Sequence, residues 1–203
     1  MPRTHEIDAL PFVLTADGPE VAWHYRDGTL AAEAPPRSDL FVDPATDGER
    51  PDAPRLLGSV TGDFQLSATV TVGFASAFDA GVLTVYVDEA NWVKLCFEFT
   101  PQGRPSVVTV VTNGVSDDAN AFELDENTVR LRLSRVGRTF ACHASTDGTW
   151  WRLVRYFTLV ALPVDAPARV GFLVQSPTGP GCPVSFSDLA FVPSPPSDLR
   201  DGS

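Results

Sequence analysis

The sequence predicts an all-β protein built from two packed antiparallel sheets, as a sandwich or a barrel. Three observations carry that expectation. Val and Phe are frequent, with 13 Phe beside 18 Pro and 15 Gly, a mixture of pleat-filling and turn-forming residues. No stretch sustains the 3.6-residue apolar period of a long helix. About a dozen runs of strand character follow one another at a spacing of roughly 8–15 residues, each bounded by turn residues. The absence of an internal repeat argues against a propeller.

The elements follow in order. Residues 1–15 are an apolar lead-in expected to add an edge strand. Residues 21–25 and 29–33 form a hairpin on the Asp27-Gly28 turn, a pair that tolerates the positive φ such turns need. Residues 38–54, SDLFVDPATDGERPDAP, read as a solvated acidic loop, and a loop of that length without structure of its own is often functional. Residues 64–74, FQLSATVTVGF, alternate as a strand. Residues 80–118 then form a meander of three alternating runs. Residues 129–134 and 139–144 pair across the turn at 135–138. Asp147-Gly148 leads into a strand at 151–159, and residues 169–175 and 184–192 are the last strands. The terminal PSPPSDLRDGS is too polar and Pro-rich to pack. The expected organisation is one sandwich domain over 1–193 and a disordered tail over 194–203.

Composition excludes some functions. The formal net charge is -11, whereas a nucleic-acid binder needs a basic patch to neutralise phosphate. Arg130, Arg132, Arg135 and Arg138 come nearest to one, and strand alternation around a turn accounts for them. No apolar run approaches the about 20 residues of a membrane-spanning helix, and the N-terminus has no signal-peptide pattern. With Cys96, Cys142 and Cys182 an odd, widely spaced set, reduced thiols and a cytoplasmic location are expected. Cys142 reads as a small core residue.

The chemistry concentrates in AGVLTVYVDEANWVKLCFEF. Alternation places Trp92, Lys94, Cys96 and Glu98 on one face of a strand, and Val93, Leu95, Phe97 and Phe99 on the other. Lys94 and Glu98 stand roughly 13 Å apart at ~3.3 Å per residue, so each needs a cross-strand partner. Thr109 and Asn113 are expected to join that face. An aromatic ring, a cation and a carboxylate together suit sugar recognition, through stacking and oriented hydrogen bonds. The plainer alternative is a solvated face with ordinary cross-strand pairs. Arg155, within the row Trp151, Leu153, Arg155, Phe157, reads as a structural ion-pair residue or a ligand contact. Gln175 stands at a strand end, where loops shape sites.

The segments AGVLTVYVDEANWVKLCFEF, VVTVVTNGVSDD, HASTDGTWWRLVRYF and VGFLVQSPTGPGCPVSFSDLAF resemble, in order and spacing, a family of bacterial and fungal proteins called regulation-of-enolase-like. That family resembles the concanavalin A-like lectin/glucanase superfamily, including the C-terminal sandwich of some xylosidases. The resemblance runs from about Trp23 to Val192. It implies a concanavalin A-like jelly-roll with one concave sheet, on which relatives bind or cut carbohydrate. In one departure, Ser116-Asp117 is followed by Asp118, where the family pattern has Trp.

Other chemistries find less support. Retaining sandwich glucanases carry Glu-x-Asp-x-Glu or Glu-x-Asp-x-x-Glu, and neither occurs, so the two carboxylates of a glycosidase are not identified. An EF-hand loop begun at Asp43 would meet Ala45 and Pro54 where its ligands belong. Ca²⁺ therefore has no motif among Asp39, Asp43, Asp47, Glu49 and Asp52; a solvated loop is expected there, with an irregular Ca²⁺ site as the alternative, and no other cofactor is expected. His5, His24 and His143 lack zinc spacing, and His143 reads as a surface residue. No nucleophile-elbow motif is present.

Three functional readings result. The first is non-catalytic binding of a carbohydrate or another small polyhydroxylated ligand, by Tyr86, Trp92, Lys94, Glu98, Thr109, Arg155 and Gln175. The second is an enzyme acting on a small metabolite, with Glu98 as general base and Lys94 as electrostatic stabiliser. The third is a protein-interaction module acting on a metabolic enzyme.

Overall fold

The computed structural model describes residues 3–46 and 52–203. Along the chain run β1 (Thr4–His5), β2 (Leu14–Asp17), β3 (Trp23–Arg26), β4 (Thr29–Ala34) and β5 (Arg55–Val60). Next come β6 (Phe64–Val72), β7 (Ala80–Asp88), β8 (Asn91–Phe99), β9 (Pro105–Asn113) and β10 (Val115–Glu123). The last are β11 (Thr128–Val136), β12 (Thr139–Ser145), β13 (Arg152–Phe157), β14 (Ala168–Gln175) and β15 (Cys182–Val192). No helix occurs among the described residues.

The strands form two antiparallel sheets. One is eight-stranded, in the order β1-β2-β5-β14-β7-β8-β9-β10; the other is seven-stranded, in the order β13-β12-β11-β6-β15-β4-β3. They pack face to face as a jelly-roll sandwich, the concanavalin A-like architecture expected. The core between them takes one face of every central strand. Phe64, Leu66, Ala68 and Val70 of β6 meet Val93, Leu95 and Phe97 of β8, with Phe172 and Phe186 between. Each such Val, Leu or Phe removed from water contributes roughly 1.5–3 kcal/mol.

The eight-stranded sheet is also buried on its other face. Val82, Tyr86, Trp92, Cys96, Val108 and Val110 form a second apolar cluster there, under Leu40, Phe41 and Val42. This double burial explains the nearly continuous apolar run of β7, AGVLTVYV, because a strand covered on both faces has no wet side to alternate with.

Four features differ from the sequence expectation. β5 falls in residues 55–63, which the sequence left unassigned, since its RLLGSV is short and carries a glycine. β10 was unassigned because it is a polar edge strand, exposed along most of its length; charged edges of that kind discourage edge-to-edge association. His143 is 1% exposed rather than at the surface, because residues 194–203 cover it. That segment, expected to stay unpacked, lies across the outer face of the seven-stranded sheet: Gln65 Nε2 donates to Ser194 O, His143 Nε2 to Leu199 O, and the Trp151 amide to Gly202 O. Its main-chain carbonyls find donors on the sheet, so a polar composition does not prevent docking. Asp47 and Glu49 of the acidic loop lie outside the described residues.

Gly171, between β5 and β7, measures how tightly the eight-stranded sheet is closed. A Cβ there would lie 1.9 Å from Leu56 O, a clash with backbone that no rotamer relieves. Gly171→Ala should lose about 3 kcal/mol or more of stability, read as a lower urea midpoint with unchanged slope. A loss within about 0.5 kcal/mol, the range of a neutral surface change, would contradict this packing.

Candidate functional site

The site is built on the outward face of β7, β8 and β9. Register sets Lys94 beside Thr84 and Val110, and Glu98 beside Ala80 and Ser106. Trp92, Lys94, Cys96 and Glu98 share this face, as alternation predicts. None is open to solvent: Trp92 and Cys96 are 0% exposed, Lys94 2% and Glu98 8%.

The cover is the acidic loop. Its apolar triplet Leu40-Phe41-Val42 folds down on the sheet, and Val42 pairs with Ser116 twice: the Val42 amide donates to Ser116 Oγ at 2.8 Å and the Ser116 amide to Val42 O at 3.0 Å. At the loop's start, Ser38 Oγ accepts from the Ser176 amide at 3.0 Å. Between these anchors, Asp39 Oδ1 meets Lys94 Nζ at 3.1 Å. The ammonium also donates to Gln175 Oε1 at 2.9 Å, and Gln175 Nε2 donates to Phe78 O at 3.1 Å. Phe78 is held at φ 71, a left-handed conformation a bulky residue keeps only when its surroundings enforce it. Asp79 helps enforce it: this fully buried carboxylate accepts from the Ala75 and Ser76 amides and from Ser176 Oγ.

Loop and sheet enclose a cavity of about 320 Å³, lined by Asp39, Phe41, Phe78, Lys94, Glu98 and Asp118, among others. Burial opposes the Lys94 charge, but Asp39, with Cys96 and Glu98 beyond it, holds the ammonium above its ordinary value. Burial pushes the Glu98 carboxyl up to about 7; Lys94 opposes the rise, and Asp39 and Asp118 add to it. Among the described residues, no hydrogen bond or ion pair to protein engages that carboxyl, which faces the cavity. Buried carboxylates are ordinarily paired, so Glu98 is a hydrogen-bonding group left available.

The expected site residues separate. Lys94, Glu98 and Gln175 come together. Trp92 and Tyr86 line a neighbouring hollow of about 270 Å³ with Arg55 and Asp52. Arg55 covers the Tyr86 ring at 4.2 Å, and the loop covers Trp92, so neither ring is an open stacking plate. Thr109 is opposite Leu95 in register and so faces the inter-sheet core; the β8–β9 hairpin is one residue out of the register that would have brought it to the site. Arg155 belongs to β13 in the other sheet and ties the sheets together, its Nη2 lying 2.9 Å from Asp117 Oδ2. Asn113 is exposed and pairs with Asn91.

Sequence reasoning missed Asp39, Phe41, Phe78 and Asp118. The apolar triplet inside the acidic loop was the available signal for Phe41, since three successive apolar residues rarely stay solvated. Asp118 lines the cavity itself. The three thiols are buried and free. Burial drives Cys96 well above its ordinary value and Cys142 and Cys182 to about 12, which makes them unreactive. No group of three or more His, Cys, Asp or Glu suited to a metal occurs among the described residues. No described helix is long and apolar enough to cross a membrane.

The family model described as "Protein of unknown function (DUF1349)" matches residues 17–194. The chain belongs to that family. Among solved structures it is similar to a functionally unknown protein from Saccharomyces cerevisiae, at 22% identity and TM-score 0.79, covering 88% of this chain and 95% of that one. A xylan β-1,4-xylosidase from Bacillus halodurans matches at 16% identity and TM-score 0.65, over 82% of this chain but 33% of the enzyme. The carbohydrate-binding module CBM66 from Bacillus subtilis matches at 17% identity and TM-score 0.53, over 87% of this chain and 94% of the module. At these identities the likeness is one of fold. No curated protein matches the chain.

The unpartnered carboxyl has a thermodynamic consequence. Its folded value of about 7 lies above the ordinary 4.5, so the folded state holds the proton more tightly. The linked stability is fully present below about pH 4.5 and is lost as pH rises toward 7. Glu98→Gln removes that loss. At pH 8 the variant should be more stable than the native protein, by on the order of 3 kcal/mol at most, with the difference shrinking at low pH. Urea unfolding of both proteins at pH 4.5 and 8 checks this; a Glu98→Gln protein less stable at pH 8 would mean that the carboxylate has a protein partner.

Proposed function

We propose that the cavity between the acidic loop and β8 binds a small polyhydroxylated ligand, a monosaccharide or one sugar unit of a larger glycan, without transforming it. The observation that carries this reading is Glu98, a carboxyl 8% exposed that faces a cavity of about 320 Å³ and has no hydrogen-bond or ion-pair partner among the described residues. A sugar hydroxyl donating to that carboxylate satisfies it. The Lys94–Asp39–Gln175 array offers further donors and acceptors at fixed positions, and Phe41 and Phe78 offer rings for the apolar face of a pyranose or furanose. The volume suits a single ring rather than a long chain. A carbohydrate-binding module among the similar folds, matched over nearly its full length, supports binding more than hydrolysis. The xylosidase is three times as long as the matched portion, and its activity belongs to that whole protein.

A second reading has its own support. A carboxyl raised to about 7 is placed where a general base works best near neutrality, and Asp118 lines the same cavity. In that reading Glu98 takes a proton from a bound hydroxyl or water, and Lys94 stabilises the negative charge that develops. The role of an interaction module for a metabolic enzyme rests on the sequence resemblance alone.

Isothermal titration with a panel of mono- and disaccharides tests the proposal. A binding sugar should gain affinity between pH 6 and pH 8, as Glu98 ionises and becomes a full acceptor. Glu98→Gln, which keeps the volume but removes the charge, should weaken binding about tenfold or more, the scale of one charge-assisted hydrogen bond. Turnover of the bound sugar, abolished in Glu98→Gln with affinity kept, would favour the enzyme. No binding by any sugar at either pH would set the proposal aside.

A further inference from the structure

The outer face of the seven-stranded sheet, opposite to the cavity, carries a second constellation. Arg132 of β11 and His143 of β12 face one another in register, and they are 7% and 1% exposed. Ser134, two residues along β11, is fully buried. Arg132 Nε, Ser134 Oγ and His143 Nδ1 are all buried without a hydrogen-bond partner. Unmet buried groups are rare, and three on one patch of sheet mark a surface whose partner is only partly matched.

What lies on that patch is residues 194–203, held mainly through main-chain carbonyls. Leu199 O accepts from His143 Nε2 at 2.9 Å, Gly202 O from the Trp151 amide at 3.0 Å, and Ser203 O from Arg132 Nη2 at 2.6 Å. Arg132 is stacked on Trp151 at 4.5 Å, and Arg200 lies over Tyr156 at 5.9 Å. Gly202, at φ +86, rests flat on Trp150, where a Cβ would come within 2.4 Å of the ring. Pro193, Pro195 and Pro196 favour an extended path with little entropy left to lose. Asp201 brings negative charge toward Arg132. Main-chain capture of an extended, Pro-led segment beside aromatic rings is a recurring mode of peptide recognition.

We propose that this face is a peptide-binding groove, that residues 194–203 occupy it as a resident ligand, and that the partner it fits is an extended, proline-led segment carrying aspartates. The resident strap leaves Arg132 Nε, Ser134 Oγ and His143 Nδ1 unmet. A partner segment that meets them displaces the strap. The groove is independent of the cavity on the other sheet, and either function can be tested without the other.

The full chain carrying Gly202→Val tests the proposal, because the change lies in the strap and leaves every groove residue in place. The added side chain cannot rest on Trp150, so the strap lifts. Hydrogen exchange at the Trp151 amide should then quicken by about tenfold or more, a local opening, while the melting temperature of the sandwich stays close to native. A fluorescein-labelled synthetic peptide with the native sequence of residues 193–203 should bind this variant saturably. It should bind the native chain at least about tenfold more weakly, because a tethered strap competes at high effective concentration. Adding Arg132→Gln to Gly202→Val should weaken the peptide again. Unchanged Trp151 exchange in Gly202→Val overturns the docking. Quickened exchange without peptide binding, or equal binding of a scrambled peptide, overturns the groove.

Discussion

The buried ammonium of Lys94 is the interaction on which the cavity depends. A lysine 2% exposed on a strand covered on both faces is costly to charge unless compensated. Asp39 and Gln175 compensate it, and each belongs to a different part of the chain. One contact therefore fixes the acidic loop to the sheet, and the other fixes the end of β14 beside Phe78. Removing one partner of such a pair leaves a buried charge uncompensated, at a typical cost of about 3–5 kcal/mol. The Lys94 ammonium thus ties the loop, by Asp39, and the Phe78 backbone, by Gln175, to the same point of the sheet.

Glu98 is the converse case. Its carboxyl lies on the same face and receives no such compensation from the described residues, although Lys94 is close enough to oppose its rise in pKa. A protein that kept this position only for packing would gain stability from an amide or an apolar residue. A buried carboxyl that faces a cavity and is raised to about 7 by burial is the kind of group that functional sites hold at a cost in stability. The cover over Trp92 and Tyr86 gives the same account from the apolar side: those rings support the loop from beneath, and Phe41 and Phe78 line the cavity instead.

Much of the architecture was legible because strand alternation is a local property. Trp92, Lys94, Cys96 and Glu98 share a face as their spacing requires, and the Asp27-Gly28 and Asp147-Gly148 turns stand where their residues place them. Three kinds of information were not local. Cross-strand register moved Thr109 to the core, since a shift of one residue exchanges the two faces. Sheet membership put Arg155 in the opposite sheet, tied to Asp117. The loop's path turned a face expected to be concave and open into a roofed cavity, adding Asp39 and Phe41 to it. The polar strand β10, and with it Asp118, escaped notice because an exposed edge strand carries no apolar period.

The central claim is that Glu98 is a buried carboxyl facing the cavity under the loop, without a partner among the described residues. Its carboxyl ¹³C resonance, followed from pH 4 to pH 9 in the full chain, tests that claim directly. A midpoint of about 7 is the result this account predicts. A midpoint near the ordinary 4.5 would contradict it, because the carboxyl would then be either solvated or held by a donor, and the cavity would lack the group that defines it.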